Sequence, residues 1–165
     1  MAKGVSKSSQ VLSSESVARI LSREWFVRGK LNAIAFTLDP GESYLSVNRP
    51  AVESFKADVE GFVKSHQSYS FDGDTCKLAL LNVGEVRGIN VSLGDTRMKV
   101  DVEVVPRDAH TKSHAGIFTR FQNKNIKRGQ LLKASPTSEE ISADTILLEV
   151  RMALLEMSTI EECQI

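Results

Sequence analysis

One polar block in the sequence carries residue types that could move a proton. Ser113 and His114 stand before Ala115 and Gly116, small residues that would let a ligand approach the imidazole ring closely. An imidazole titrates near neutral pH, so His114 could transfer a proton or contact a phosphate. The alternative is structural, with the His114 ring anchoring a loop through hydrogen bonds to the backbone.

A second block ends at Arg49, directly before Pro50. Proline suits the first turn of a helix, so Arg49 is predicted to lie at a helix N-terminus. Free amides there favour anions, and a guanidinium could clamp a carboxylate or phosphate beside them. The alternative is an ion pair between Arg49 and a structural acid such as Glu85.

A third block, residues 82–88, contains two glycines that interrupt an apolar run. Glycines at such a place indicate a bulge or a close backbone approach. Glu85 and Arg87 are two positions apart and would point to the same side, either as an ion pair or as part of a site. We therefore hypothesise a site in which Arg49 and Arg87 hold an anion beside Ser113, His114 transfers a proton and Glu85 orients one of them.

Basic residues are concentrated in residues 107–133, and acidic residues in residues 137–165, although the formal net charge of the chain is zero. The two regions are expected to attract each other, within the fold or across a dimer. The basic run over residues 120–133 could also follow a nucleic-acid backbone, although Phe121 is its single aromatic residue. The candidate nucleic-acid contacts are Arg120, Lys124, Lys127 and Arg128.

The familiar motifs of hydrolases, phosphate loops, dinucleotide sites and zinc proteases are absent from the sequence. Asp72 and Asp74 could contribute to a calcium site, but the loop of about twelve residues with its terminal glutamate is missing. Cys76 and Cys163 are far apart and belong to no metal-binding cluster. We expect no metal and no cofactor. A reducing cytoplasm is the predicted location, because neither a secretory leader nor a membrane-spanning run is evident.

The first half of the chain shows helical and strand signals in alternation. Residues 1–12 are rich in serine and lysine and are predicted to be a flexible tail. The spacing of apolar residues predicts a helix over residues 13–25 and strands over 33–38 and 44–47, joined as a hairpin by a turn at 39–42. Residues 50–65 are predicted to form an amphipathic helix, with Glu53, Lys56, Asp58 and Glu60 on its outer side.

The second half begins with an apolar, strand-like stretch. Residues 76–81, 89–93 and 98–104 predict a three-stranded antiparallel meander, with a tight turn at Gly94-Asp95. Residues 107–133 show the least regular pattern, and residues 137–157 predict a C-terminal helix. The fold class expected is α+β, a single domain over residues 13–165. Its sheet is antiparallel or mixed, with about five strands, and two to three helices cover it.

The blocks AFTL, SYLSVNR, LLNVGEVR and SHAGI follow one another between residues 23 and 117. This succession resembles a group of small uncharacterised bacterial proteins with LSV, VGxVR and HAxI blocks in that order. The chain departs from that pattern before the histidine, where Lys112-Ser113 replaces Asn-Pro. The resemblance implies a bacterial cytoplasmic protein whose polar blocks meet on one surface.

Two hypotheses about function follow, with a third beside them. The first is a non-enzymatic component of an accessory system that binds another protein, with a homodimer through the C-terminal helix as one form of that contact. The second is a small enzyme or binding domain for a phosphate-bearing or nucleotide-like ligand, which uses Arg49 and His114. The third is nucleic-acid binding through residues 120–133.

Overall fold

A curled antiparallel sheet of seven strands, shaped as a half-barrel, dominates the structure. The computed structural model describes residues 10–38, 42–93, 96–105, 112–122 and 138–165, with the backbone alone at 96 and 138–144. The strands of these residues are β1 (Ser16–Ile20), β2 (Phe26–Val27), β3 (Lys30–Leu31), β4 (Leu45–Asn48), β5 (Thr75–Asn82), β6 (Asn90–Leu93), β7 (Thr96–Val104), β8 (His114–Phe121) and β9 (Thr159–Gln164). The main sheet has the order β6-β7-β8-β4-β1-β5-β9, and β2 pairs with β3 alone.

Three α-helices accompany the sheet in the described part of the chain. They are α1 (Phe55–Ser65), α2 (Val83–Arg87) and α3 (Ser138–Met157), and short 3-10 turns lie at Arg23–Trp25, Ala33–Phe36 and Gln67–Tyr69. The expectation of an α+β fold with about five strands is therefore wrong, because the structure is mostly sheet and has seven strands in its main sheet. Three of those strands lie in segments where no strand was predicted, namely β1, β8 and β9.

The helices cover the two faces of the sheet unequally. Val86 of α2 and Val150 and Leu154 of α3 belong to the larger apolar core on one face. Val59 and Val63 of α1 pack with β1 and β5 in a smaller core on the other face. Because α1 contributes few apolar residues, polar side chains of β4 and β8 remain beside it, and these line the cavity described below.

The predicted helix over residues 13–25 is wrong. Its central residues form β1, which lies between β4 and β5 in the middle of the sheet. Val17 and Ala18 are both fully buried, since neighbours cover this strand on both faces. A strand covered on both faces does not need polar and apolar residues in alternation, so its apolar positions can match a helical spacing.

The predicted strand over residues 33–38 is also wrong, and with it the predicted hairpin. Ala33–Phe36 forms a 3-10 turn that begins after Asn32, whose Oδ1 accepts a hydrogen bond of 3.0 Å from the Ile34 amide. Ala35 and Phe36 are buried in the core that α3 covers. The predicted turn at residues 39–42 lies outside the described residues except for Glu42.

Several local predictions are confirmed. The helix predicted to end at residue 65 is α1, although it begins at Phe55 and not at Pro50. The strand predicted at 44–47 is β4, and the C-terminal helix predicted at 137–157 is α3. The strands β6 and β7 pair as an antiparallel hairpin, with Leu93 opposite Thr96, while the turn residues themselves lie outside the description.

The predicted three-stranded meander is wrong at its first strand. β5 pairs with β1 and β9, at the opposite end of the sheet from β6 and β7. The chain leaves β5 through α2, a short helix that Asn82 caps by accepting a hydrogen bond of 2.9 Å from the Glu85 amide. The bulge expected at residues 82–88 is therefore a helical turn.

The first described residues belong to the folded part of the chain. Val11 is fully buried in the larger core, and its carbonyl accepts a hydrogen bond of 2.7 Å from Arg87. Val11 therefore does not belong to the flexible tail predicted over residues 1–12, and residues 1–9 lie outside the description. A search of the described helices finds none whose length and apolar character would let it cross a membrane.

Candidate functional site

A cavity of about 440 Å³ lies beside α1, over the polar face of β4 and β8. Ser46 and Asn48 of β4 and His114 of β8 form part of its lining. Asn48 and His114 are directly opposite each other in the antiparallel ladder, so their side chains leave the sheet on the same face. The other lining residues are Arg19, Ile20, Trp25, Ile34, Thr37, Glu42, Asp58, Phe62 and Tyr69.

His114 is held between strand and aromatic neighbours at one end of this cavity. Its side chain is 7% exposed, and its ring meets that of Tyr44 edge-on, with the centroids 5.8 Å apart. The Tyr44 ring in turn lies directly over Gly116, where a Cβ atom would stand 2.7 Å from the tyrosine Cδ2. The small residue two positions after His114 therefore makes room for the ring that fixes the imidazole.

Asp58 joins α1 to the segment that precedes β8. Its Oδ2 atom accepts hydrogen bonds from the Ser113 amide at 3.0 Å, from Ser113 Oγ at 2.6 Å and from Ser54 Oγ at 2.9 Å. The N-terminal turn of α1 adds a favourable partial positive charge near this carboxylate. Asp58 was predicted on the outer side of the helix, and that placement is wrong, because the carboxylate is turned toward Ser113.

Ser113 has a positioning role in this arrangement. Besides its two bonds to Asp58, its Oγ accepts a hydrogen bond of 2.9 Å from Asn48 Nδ2, and its carbonyl accepts one of 2.8 Å from the Arg49 amide. The residue is fully buried. The chain from Asp58 through Ser113 to Asn48 fixes the start of β8 and hence the place of His114.

Arg19 supplies the guanidinium of the cavity. Its Nε donates to the Ala35 carbonyl at 2.6 Å and its Nη1 donates to the Ser46 carbonyl at 2.8 Å. The guanidinium carbon also lies 4.9 Å from the centre of the Trp25 ring, in cation–π range. At least two of its donors are thus engaged within the protein, so Arg19 serves first to join β1, β4 and the Ala33–Phe36 turn.

An aromatic cluster forms the wall opposite the strand residues. Tyr69 meets Trp25 edge-on at a centroid distance of 5.6 Å and meets Phe62 edge-on at 4.8 Å. Aromatic pairs in this geometry are favourable and restrict the rotation of each ring. The cavity therefore combines a firm apolar wall with a polar floor, the composition usual in small-molecule sites.

Arg49 does not reach this cavity. Its side chain leaves β4 on the opposite face from Asn48, is 1% exposed, and forms two hydrogen bonds to Glu15, of 3.0 Å from Nε and 2.9 Å from Nη2. Nη2 also donates to the Gln10 carbonyl at 3.0 Å. Arg49 thus forms the ion pair with a structural acid that was predicted as the alternative to anion binding, but the acid is Glu15 and not Glu85.

The electrostatics of this pair follow from its burial. Burial of Glu15 acts to raise the pKa of its carboxyl, but the hydrogen bonds from Arg49 and the Leu12 amide, together with the Arg49 charge, outweigh it. The net result is a pKa below the usual value for glutamate. Arg49 and Glu15 also line a separate cavity of about 580 Å³.

Arg87 and Glu85 are likewise away from His114. Arg87 donates from Nε to Asp101 at 2.8 Å and from Nη1 to Ser13 Oγ at 2.9 Å, which ties α2 to β7 and to the N-terminal segment. Glu85 is exposed on α2 and lines none of the three cavities described. Of the five residues proposed from sequence, the structure brings together Ser113 and His114, while Arg49, Arg87 and Glu85 lie elsewhere.

Of the four residues proposed to contact nucleic acid, the structure describes one, Arg120. Arg120 pairs with Glu103 at 2.6 Å and lies 4.8 Å from the centre of the Phe118 ring. Lys124, Lys127 and Arg128 lie outside the described residues. The ion pair leaves Arg120 with a protein partner, which lowers its value as a phosphate contact.

The Asp72 and Asp74 loop lines the largest of the three cavities, about 620 Å³, near the C-terminal residue Ile165. Among the described residues, no group of three or more histidine, cysteine or acidic side chains is arranged to hold a metal ion.

Sequence reasoning did not find Arg19, Asn48 or Asp58 as lining residues. For Asn48 a signal was present, because alternation in β4 places it on the opposite face from Arg49. Arg19 and Asp58 carried no such signal, since Arg19 fell within the predicted helix over residues 13–25 and Asp58 was assigned to the outer side of the helix over residues 50–65. Comparisons with protein-family models, with curated protein sequences and with solved structures find no match to this chain.

Proposed function

We propose that the chain binds a small molecule in the cavity beside His114. The observation that supports this most directly is the convergence of His114, Asn48 and Asp58 on one cavity with the aromatic wall of Trp25 and Tyr69. These residues come from separate elements of the fold. The volume of about 440 Å³ lies within the usual range for ligand sites, roughly 300–1,000 Å³.

The charges of the lining favour a neutral or cationic ligand over a phosphate. Glu42 and Asp58 supply two carboxylates, whereas Arg19 supplies one guanidinium whose Nε and Nη1 already bind carbonyls. An anion would meet a net negative lining and would gain little from Arg19. Arg49, proposed from sequence as the anion clamp, faces away. We therefore prefer a ligand with a planar ring, which can stack on the aromatic wall and exchange hydrogen bonds with Asn48.

His114 would act on such a ligand as a proton donor or acceptor. An imidazole nitrogen can donate or accept a proton, and the Tyr44 ring packs against that of His114. The proposal is first that the cavity binds a ligand. If the protein is an enzyme, His114 would be its acid–base catalyst.

Trp25 provides a direct test, because it is the chain's one tryptophan and it stands in the cavity wall. We would titrate the protein with neutral heteroaromatic probes such as nucleobases, cationic probes such as benzamidine, and anionic probes such as nucleoside monophosphates. Saturable change of Trp25 emission by a neutral or cationic probe is expected. In His114→Gln the affinity should fall about tenfold, roughly 1.4 kcal/mol.

Glu85→Gln is the matched control, since Glu85 is exposed and lines none of the described cavities. Its affinity should equal that of the wild type. If only the anionic probes changed the Trp25 emission, the hypothesis of a phosphate-bearing ligand would be favoured instead. Absence of any response, or equal binding by His114→Gln and the wild type, would contradict the proposal.

A second candidate function is the binding of another protein, or of a second copy of this chain, through α3. Exposed apolar residues on that helix support it. Leu148 and Met152 are 52% and 50% exposed and lie four residues apart, so they share one face of the helix. Exposed apolar residues so close together are one mark of a binding surface. Leu148→Glu with Met152→Glu should abolish any concentration-dependent dimer seen by light scattering, whereas Lys56→Glu on α1 should not. If the protein is a monomer at all concentrations, the partner would be a different protein. Capture experiments with the wild type and with the doubly substituted chain would then test for it.

We also propose that the protein is bacterial and cytoplasmic. The resemblance of its sequence blocks to small bacterial proteins supports this, and its free cysteines Cys76 and Cys163 fit a reducing compartment. Fractionation of cells that express the protein would test the location.

A further inference from the structure

Cys76 and Cys163 are far apart in sequence, but the sheet brings them together. Cys76 lies in β5 and Cys163 in the edge strand β9, and the two residues are directly opposite each other in the antiparallel ladder. Directly opposite side chains leave the sheet on the same face. Both cysteines accordingly belong to the smaller core, where Cys76 is fully buried and Cys163 is partly exposed.

We propose that Cys76 and Cys163 form a reversible disulfide that fastens β9 to β5. Opposite residues in an antiparallel pair have Cα atoms about 4.5 or 5.5 Å apart. Both separations fall within the span of roughly 4.4–6.8 Å that a disulfide bridges. The register therefore gives a Cα separation that permits the bond.

The unequal exposure of the two thiols sets the order of events. Cys163 on the outer strand is the thiol that a low-molecular-weight disulfide, such as oxidised glutathione, can reach. Its thiolate attacks one sulfur of that disulfide, forms a mixed disulfide and releases one glutathione thiolate. Cys76, as thiolate, then attacks the Cys163 sulfur and releases the second glutathione. The protein loses two electrons and two protons, and one glutathione disulfide becomes two thiols.

The second step is expected to be the slow one at neutral pH. In the reduced protein, burial raises the pKa of the Cys76 thiol to about 11, with the charge and hydrogen bonding of Cys163 added to it. Cys163 carries no charge in the mixed disulfide, but the burial of Cys76 remains and still holds its pKa above the usual value for a thiol. Little Cys76 thiolate is then present at neutral pH, and the rate of ring closure should rise with pH.

The bond would matter most for β9. Among the described residues, this strand is at the edge of the sheet, pairs with β5 alone, and exposes most of its side chains. A disulfide there closes the whole chain between β5 and β9 into one loop, which reduces the entropy of the unfolded state. Oxidation should therefore raise the melting temperature, by about 5–10 °C for a chain of this size.

The test is to equilibrate the full chain with glutathione buffers of increasing oxidised fraction, quench with acid, and identify cysteine-containing peptides by mass spectrometry. We expect a protein that has lost two hydrogen atoms, a linked pair of peptides containing Cys76 and Cys163, and the rise in melting temperature. Cys76→Ala should stop at the mixed disulfide of Cys163, and Cys163→Ser should stay unmodified under the same conditions.

The wild-type experiment decides the proposal even if the buried Cys76→Ala variant does not fold. A wild-type chain that ends as a stable Cys163–glutathione adduct would overturn it, because the two sulfurs would then be unable to meet. Disulfide-linked dimers as the main product, or two free thiols in the most oxidising buffer, would overturn it as well.

Discussion

Asp58 and Ser113 are joined by two hydrogen bonds, although 55 positions separate them in the chain. The carboxylate of Asp58 lies in the first turn of α1, and Ser113 stands directly before the strand that carries His114. This contact makes one rigid unit of the helix and the strand that flank the cavity. The position of the imidazole thus depends on an acid that does not need to touch a ligand.

Asp58→Ala is expected to lower the free energy of unfolding by about 2–3 kcal/mol. The substitution leaves the buried amide and hydroxyl of Ser113 without their acceptor, and unsatisfied buried donors are costly. Urea denaturation followed by far-UV circular dichroism measures the change. Glu53→Ala, an exposed acid immediately before the same helix, should leave the midpoint almost unchanged; an equal loss in both variants would show that the bonds to Ser113 are not responsible.

Gly116→Ala should destabilise the protein and weaken binding in the cavity. The new methyl group would stand 2.7 Å from Tyr44 Cδ2 and 2.9 Å from Phe118 Cε2, so the Tyr44 ring that contacts His114 must move. Overpacking of this kind costs about 1–3 kcal/mol. Thermal denaturation and Trp25 titration measure the two effects.

Gly61→Ala is the matched control for that substitution. Gly61 lies within α1, and nothing stands within 4 Å of the place its Cβ would take. Alanine should stabilise the helix there by about 0.5–1 kcal/mol. If Gly116→Ala also stabilised the protein, the close packing of Tyr44 on the strand would be refuted.

Glu15→Gln should cost about 3 kcal/mol near pH 7, because it leaves the buried Arg49 without its counter-charge. The pKa of Glu15 is below its unfolded value of 4.5, so this contribution is fully present above pH 4.5. It is lost as the pH falls through the lowered folded pKa. Denaturation curves from pH 7 to pH 3 should therefore converge for the wild type and Glu15→Gln, and parallel curves would argue against the ion pair.

Cys76 gives a prediction at alkaline pH. Its folded pKa of about 11 lies above the model-peptide value of 9.0, so the neutral thiol favours the folded state. That contribution is complete below pH 9 and declines as the pH rises toward 11. Under reducing conditions, the wild type should therefore lose stability relative to Cys76→Val as the pH rises over this range. A constant difference between the two proteins would mean that the thiol is not shielded from water.

Local structure was predicted well where one segment carries its own signal. The amphipathic pattern of residues 50–65 was sufficient for α1, because such a helix buries one face whatever its partner is, and the capping pattern that opens residues 137–157 was sufficient for α3. The pairing of β6 with β7 followed from alternation on both sides of a short turn. His114 was also singled out from the sequence, because a serine precedes it and small residues follow it, and the structure places it in the lining of the cavity.

What the tertiary structure decided was which strands become neighbours and which side chains they bring together. β1 has a helix-like spacing and becomes a strand because β4 and β5 lie on either side of it. β9 is polar and exposed, and its strand conformation depends on the ladder that β5 offers. Such pairing is non-local, so no window of sequence contains it.

The sequence by itself therefore determined α1, α3 and the β6–β7 hairpin. Only the tertiary structure separated Arg49 from His114, by pairing His114 with Asn48 and burying Arg49 against Glu15, and only it brought Asp58 to Ser113 and Cys76 to Cys163. The physical reason is that periodicity records burial along one segment, whereas a site is made by the register between segments.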